Sequence, residues 1–188
     1  MKANYEQGLT LIELLITFAI ITIAVTIGTS SFSWIIERSQ AAATRNNIER
    51  AFSLARYTAV TEQTIVTICP LNSSNKCSND WSLPTFVFRD PDSNLELDDT
   101  SKIIKEFKLA SAGQLTPSNS FNGPRRYFQY RPDGSIRGTL GNLTWCSLSG
   151  NNETAVHVRV NLGGRLTWSR DSNGNGIVET ASGNDVRC

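Results

Sequence analysis

Few residues in this chain could carry chemistry. There is one histidine, His157, and there are four cysteines, Cys69, Cys77, Cys146 and Cys188. No C-x-x-C, H-E-x-x-H, G-x-S-x-G or glycine-rich phosphate loop occurs, so a zinc site, a serine nucleophile and a nucleotide cradle all lack their residues. In A-V-H-V-R-V, strand alternation puts Val156, Val158 and Val160 on one face and Ala155, His157 and Arg159 on the other, which places His157 at the surface. No catalytic group is expected, and the chain reads as a non-enzyme. One stretch has the spacing of a calcium loop: Asp171, Asn173 and Asn175 stand at alternate positions, followed by Gly176. The position that needs a bidentate glutamate is Ser182, so calcium would require Glu179 or Asp185 in another geometry. The competing reading is an Asn/Gly turn, with no cofactor at all.

The remaining candidates are thiols and charges. An even cysteine count suits disulfides in an exported domain. Four cysteines allow three pairings. A short loop closed by Cys69–Cys77 and a C-terminal tail pinned by Cys146–Cys188 are favoured, the second contributing about 3–4 kcal/mol in a chain-entropy account. Formal net charge is +1, from 18 Lys+Arg against 17 Asp+Glu. Acids prevail from Asp90 to Glu106, and from Phe121 onward every Lys/Arg position is Arg. Arg159, Arg165 and Arg170, near Trp145 and Trp168 in sequence, could track DNA phosphates; a solvated face is the other reading. One charge stands apart. Glu13 lies five residues into the apolar run Leu9 to Thr29, 21 residues with no other charge. A helix of that length spans about 30 Å, the hydrocarbon thickness of a bilayer. A carboxylate there costs about 2.5–3.5 kcal/mol on insertion scales, so Glu13 either sits at the bilayer edge or meets a cation at its own depth.

The elements that must position these groups fall into two textures. Beyond the apolar run, Ala41, Thr44, Ile48, Ala51, Phe52, Ala55 and Ala59 recur at spacings of three and four, one face of an amphipathic helix. No Pro or Gly interrupts from Thr29 to Gln63, so a helix from about 9 to about 61 is expected. After Gln63 the period drops to two. TIVTIC (64–69), TFVFRD (85–90), KIIKEFKL (102–109), RRYFQYR (125–131), LTWCSL (143–148), AVHVRVN (155–161) and GRLTWSR (164–170) read as strands. P-D-G at 132–134 reads as a hairpin turn, while Asn72–Asp80 and Asp90–Asp99 read as loops. The class is α+β, a long helix packed on an antiparallel sheet domain.

The stretch G-L-T-L-I-E-L-L, residues 8–15, resembles the type III leader junction of type IV pilins and pseudopilins, usually G-F-T-L-I-E-L. The resemblance implies cleavage after Gly8 by a prepilin peptidase and N-methylation of Leu9, which stands where Phe is usual. It implies that Glu13 neutralises the N-terminal amine of a neighbouring subunit during assembly. The run RRYFQYRPDGSIRGTLGNLTWC, followed by AVHVRVNLGGRLTWSR, resembles the C-terminal half of the GspH/FimT-type, FimU-like minor pilins. The implied architecture is the pilin fold: a leader at 1–8, a transmembrane helical segment at 9–29, its amphipathic continuation at 30–61 and a periplasmic β-rich domain at 62–188. The implied place is a single pass through the inner membrane, with incorporation into a pilus or pseudopilus. The implied partners are major and minor pilins, the peptidase and an inner-membrane assembly platform. The expected function is a minor pilin that primes or caps a type IV pilus. The alternatives are a DNA-binding minor pilin for uptake and the H-type pseudopilin of type II secretion. DNA-uptake members carry Gly-Arg-x-Arg in the last strand; here Gly164-Arg165-Leu166-Thr167 lacks the second Arg, and Arg170 falls on the opposite face of a regular strand.

Overall fold

A computed structural model describes residues 10–110, 112–120, 123–138 and 140–188, the side chains of 25–31 excepted. The chain divides into two compact units, Met1–Glu37 and Arg38–Cys188. Helix α1 (Leu11–Thr61) begins in the first and ends in the second. In the first unit Leu11, Leu15, Phe18, Ile20 and Ile23 are 58–81% exposed. Among the described residues no helix is long and apolar enough to cross a membrane. The run expected to do so, 9–29, includes Leu9 and side chains from 25 onward that lie outside the described residues.

In the second unit α1 buries the face that its periodicity marks: Ala41, Thr44, Ile48, Ala51, Phe52, Ala55 and Ala59 are all buried. Four of these seven are alanine, which lets the strands approach the helix closely. The helix ends where Gln63 adopts φ +50°. Thr64 N–H then reaches back to Ala59 O at 3.2 Å, and the Gln63 side chain donates to Val60 O at 2.7 Å, satisfying carbonyls that the last turn leaves open.

Two four-stranded antiparallel sheets pack around that face, with a two-stranded ribbon beside them. The strands are β1 (Val66–Pro70), β2 (Thr85–Arg89), β3 (Ile103–Phe107), β4 (Gly113–Pro117), β5 (Asn119–Ser120), β6 (Gly123–Pro124), β7 (Phe128–Tyr130), β8 (Gly141–Ser147), β9 (Val156–Val160) and β10 (Leu166–Trp168). The first sheet runs β3-β2-β1-β7, the second β10-β9-β8-β4, and the ribbon pairs β5 with β6. Phe52, Val66, Ile68, Phe128 and Tyr130 meet Leu143, Trp145, Val158 and Val160 in one core. The Phe52 ring sits edge-on to Phe128 at 5.0 Å, a favoured aromatic geometry.

The P-D-G turn forms, with Gly134 N–H on Arg131 O at 2.8 Å, but it makes no long hairpin. A single bridge joins Tyr130 to Ile136, because β7 belongs to the first sheet and β8 to the second. The turn instead docks on the helix. Arg56 Nε donates to Gly134 O at 3.1 Å, and a Cβ on Gly164 (φ +72°) would come within 2.3 Å of that same oxygen. The Gly-Arg of the β9–β10 turn therefore has a packing reason for its glycine: turn stacks on turn, and both stack on α1.

Candidate functional site

The first candidate is the start of α1. Thr10 caps the helix: its Oγ1 accepts from Glu13 N–H at 3.3 Å, while Glu13 Oε2 accepts from Thr10 N–H and Oγ1 at 3.2 Å each. This reciprocal pair is a capping box, T-x-x-E, and it satisfies donors that a helix start leaves unpaired. Glu13 thus has an intrachain partner available, a role the sequence signals by spacing alone but that the apolar run around it obscures. Gly8 and Leu9 lie outside the described residues.

The thiols pair as Cys69–Cys77 and Cys146–Cys188. The first closes the 70–76 loop, held by an Asn72 side chain that accepts from Ser74 and Lys76 N–H. The second ties the last residue to the outer face of β8, and so draws the tail from Arg170 to Cys188 across the second sheet. Glu179 anchors that tail. Its buried carboxylate accepts from Ser172 N–H at 2.9 Å and Asn173 N–H at 3.2 Å. Val186, only 3% exposed, packs beneath.

The tail overturns one expectation. His157 is not at the surface but 4% exposed, with Nδ1 on Thr144 Oγ1 at 2.8 Å. Its alternation is as expected, facing away from the main core; a second layer of chain covers that face. Burial, and secondarily the Arg159 charge, hold its pKa below the usual histidine value.

The three candidate arginines separate. Arg159 is partly buried on β9, between Asn142 of β8 and Thr167 of β10 in register. Arg170 is exposed and lines the same groove as Arg159. Arg165 is exposed in the β9–β10 turn, its N–H donating to Asn161 Oδ1 at 3.0 Å. Trp168 points the other way: its Nε1 donates to Glu49 on α1 at 2.9 Å and the Arg45 guanidinium lies 4.7 Å over its ring. Trp145 is fully buried and reaches no arginine surface, whereas Trp168, with its indole N–H taken by Glu49, still lines the groove of Arg159 and Arg170.

Asp171, Asn173 and Asn175 form a hydrogen-bonded turn. Asp171 accepts from Gly176 N–H at 2.8 Å and Gly174 N–H at 2.7 Å, which hold its carboxyl below the usual carboxylate range. Asn173 and Asn175 carbonyls take Asn175 and Ile177 N–H, and their amides reach Asp185. These bonds build an Asn/Gly turn from the loop's own amides. Among the described residues no group of three or more His, Cys, Asp or Glu side chains could hold a metal ion.

Comparison with known proteins follows this geometry. Residues 44–164 match the family described as type II transport protein GspH, and residues 3–29 match the prokaryotic N-terminal methylation motif. A search of curated proteins found no match. Among solved structures, the type IV minor pilin FimU of Pseudomonas aeruginosa is 12% identical with a TM-score of 0.52, over 72% of this chain and 92% of that one. The minor pseudopilin EpsH of the Vibrio cholerae type 2 secretion system is 12% identical with a TM-score of 0.45, over 68% of this chain and 93% of that one. At such identity the FimU likeness speaks to the fold, a long helix on antiparallel sheets. The matched families are structural pilins rather than enzymes. The GspH match takes in more than half of the chain and the methylation motif spans the leader junction, so this chain belongs to the GspH/FimT family of type IV minor pilins and pseudopilins.

Proposed function

We propose that the chain is a minor pilin of a type IV pilus that primes or caps filament assembly after prepilin peptidase cleavage at Gly8. Leu9 is then the methylated terminus, Glu13 the charge that meets a neighbour's amine, and the domain from 62 onward a periplasmic head. The processed chain waits in the inner membrane, anchored through 9–29, and is passed by the assembly platform to other pilins. The observation that carries this reading is the exposed apolar surface of α1 from Leu11 to Ile23, interrupted by one carboxylate at Glu13. Such a surface is made for lipid or for other helices.

The capping box makes the test sharp. Glu13→Gln keeps a capping-box residue and removes the charge; Glu13→Ala removes both. If the charge pairs with a neighbour, both variants are cut after Gly8 and both join filaments poorly. Wild-type pilus numbers in Glu13→Gln would reduce Glu13 to a helix cap and end the pairing idea.

A second reading, DNA uptake, is favoured by the exposure of Arg165 and Arg170 at the two ends of β10. It expects salt-sensitive retention of duplex DNA that Arg165→Ala weakens. A third, the H-type pseudopilin of type II secretion, shares helix and head. A deletion strain scored for twitching, secretion and transformation separates the three.

A further inference from the structure

The outer face of the second sheet carries a row of side chains that the core does not use. Register aligns Asn142, Arg159 and Thr167 across β8, β9 and β10. Two grooves of about 480 Å³ each open on this face. Both are lined by Arg159 and by Ala181 of the tail. Arg159 Nε is buried without a hydrogen bond, and among the described residues Arg159 pairs with no carboxylate. Buried polar atoms normally have partners, so a cation held this way is poised for a ligand's anion. The groove on the Asn142 side has no acidic lining among the described residues, and Leu140 gives it an apolar wall.

We propose that this groove binds an acidic saccharide of the uronate class, with the Arg159 guanidinium on the carboxylate and Asn142, Asn161 and Thr167 on ring hydroxyls. Three features select that class. A single guanidinium among amides and hydroxyls matches a ligand with one carboxylate and many hydroxyls per ring. A peptide is captured most readily by pairing with a free strand edge, whereas this site lies on a sheet face, with β8 and β9 paired on both sides. A nucleic acid needs several cations along its phosphates or aromatic faces for its bases, and this groove has one cation and no aromatic lining. The volume falls within the range of small-ligand sites. The site is independent of whether the subunit serves a pilus or a secretion system.

The test is calorimetric titration of the full chain, in detergent, with tri-galacturonate. Saturable binding is expected, weakened about tenfold or more by Arg159→Gln and unchanged by Arg126→Gln, an exposed arginine that lines neither groove, with a neutral galactose trisaccharide failing to compete. A thermal melt of each variant separates loss of binding from loss of fold. Asn142→Ala, expected to weaken binding by a smaller factor, serves if Arg159→Gln does not fold. Absence of binding overturns the proposal. So does displacement by inorganic phosphate or a short DNA duplex at equal concentration, which would make the groove a general anion site or a nucleic-acid site.

Discussion

Both sheets of the globular unit are covered on their outer faces by irregular chain, and a disulfide clamps each cover, yet the faces beneath differ in kind. Over the first sheet, Leu71, Cys77 and Leu97 pack on Cys69 and Phe88 to make a second small core. The polar groups there satisfy one another. Thr67 Oγ1 donates to Asp90 Oδ2 at 2.7 Å, Gln129 Nε2 donates to the same oxygen at 3.0 Å, and Asn94 N–H donates to Asp90 Oδ1 at 3.1 Å. Over the second sheet the floor is polar, and Arg159 Nε, His157 Nε2 and Ser169 Oγ are buried without a hydrogen bond. The first cover completes a fold. The second lies over a surface with unused hydrogen-bonding capacity, which is how a binding face differs from a core.

The largest test of that difference is a pair of substitutions at outward positions. Phe88 is fully buried, so Phe88→Ala should lower stability by about 4 kcal/mol. Thr167 is exposed, and Thr167→Ala should change it by no more than about 0.5 kcal/mol. Equal losses in urea unfolding followed by near-UV circular dichroism would break the distinction. The clamps come next. Their sequence separations are 42 for Cys146–Cys188 and 8 for Cys69–Cys77. In a chain-entropy account, replacing both cysteines with serine costs about 3–4 kcal/mol at the first and about 2.5 kcal/mol at the second. Losing the longer clamp should also speed hydrogen exchange at Val186, whose N–H donates to Val178 O at 2.9 Å, before exchange rises in β8 and β9. Simultaneous exchange of tail and sheet would show that the tail is part of the core rather than a cover.

Much of this architecture is legible in the sequence, and the illegible parts share a cause. The buried face of α1 follows from spacing because a helix repeats its geometry every few residues. The strands with alternating or continuous apolar runs are legible for the same reason. Strand β4 is not: G-Q-L-T-P holds one large apolar residue, and it is a strand because it pairs with the edge of β8. Its Gly113 is needed there, since a Cβ would come within 2.4 Å of the Trp145 indole. The division into two sheets is not legible either: P-D-G reads as a hairpin turn, and no local signal says that β7 and β8 enter different sheets. His157 is the clearest case. Alternation assigns its face, but its burial depends on chain outside its own strand, which alternation within the strand does not report. Glu13 stands out by charge, while its cap partner Thr10 is hidden in a run read for its hydrophobicity.

The finest test uses protons, because Asp90 beneath the first cover and His157 beneath the second are both buried and should act in opposite directions. Burial, with Asp92 adding to it, pushes the Asp90 carboxyl above its ordinary 3.8 despite the Thr67 hydrogen bond. Burial, with Arg159 adding to it, pushes His157 below its ordinary 6.5. A raised carboxyl contributes stability that is present in full below 3.8 and is lost as pH rises through the folded-state value. A lowered imidazole contributes stability that is present above 6.5 and is lost as pH falls through its folded-state value. Asp90→Asn should therefore gain on the parent chain as pH climbs above the ordinary 3.8 of the carboxyl, and His157→Gln should gain on it as pH drops below the ordinary 6.5 of the imidazole. Melting temperatures across that range distinguish the limbs. Bound polyanion near Arg159 would offset the positive charge facing His157 and shrink the acid-side effect, while leaving the Asp90 limb unmoved. If ligand shifted both limbs alike, the two covers would be one cooperative structure and the separation of core from binding face would fail.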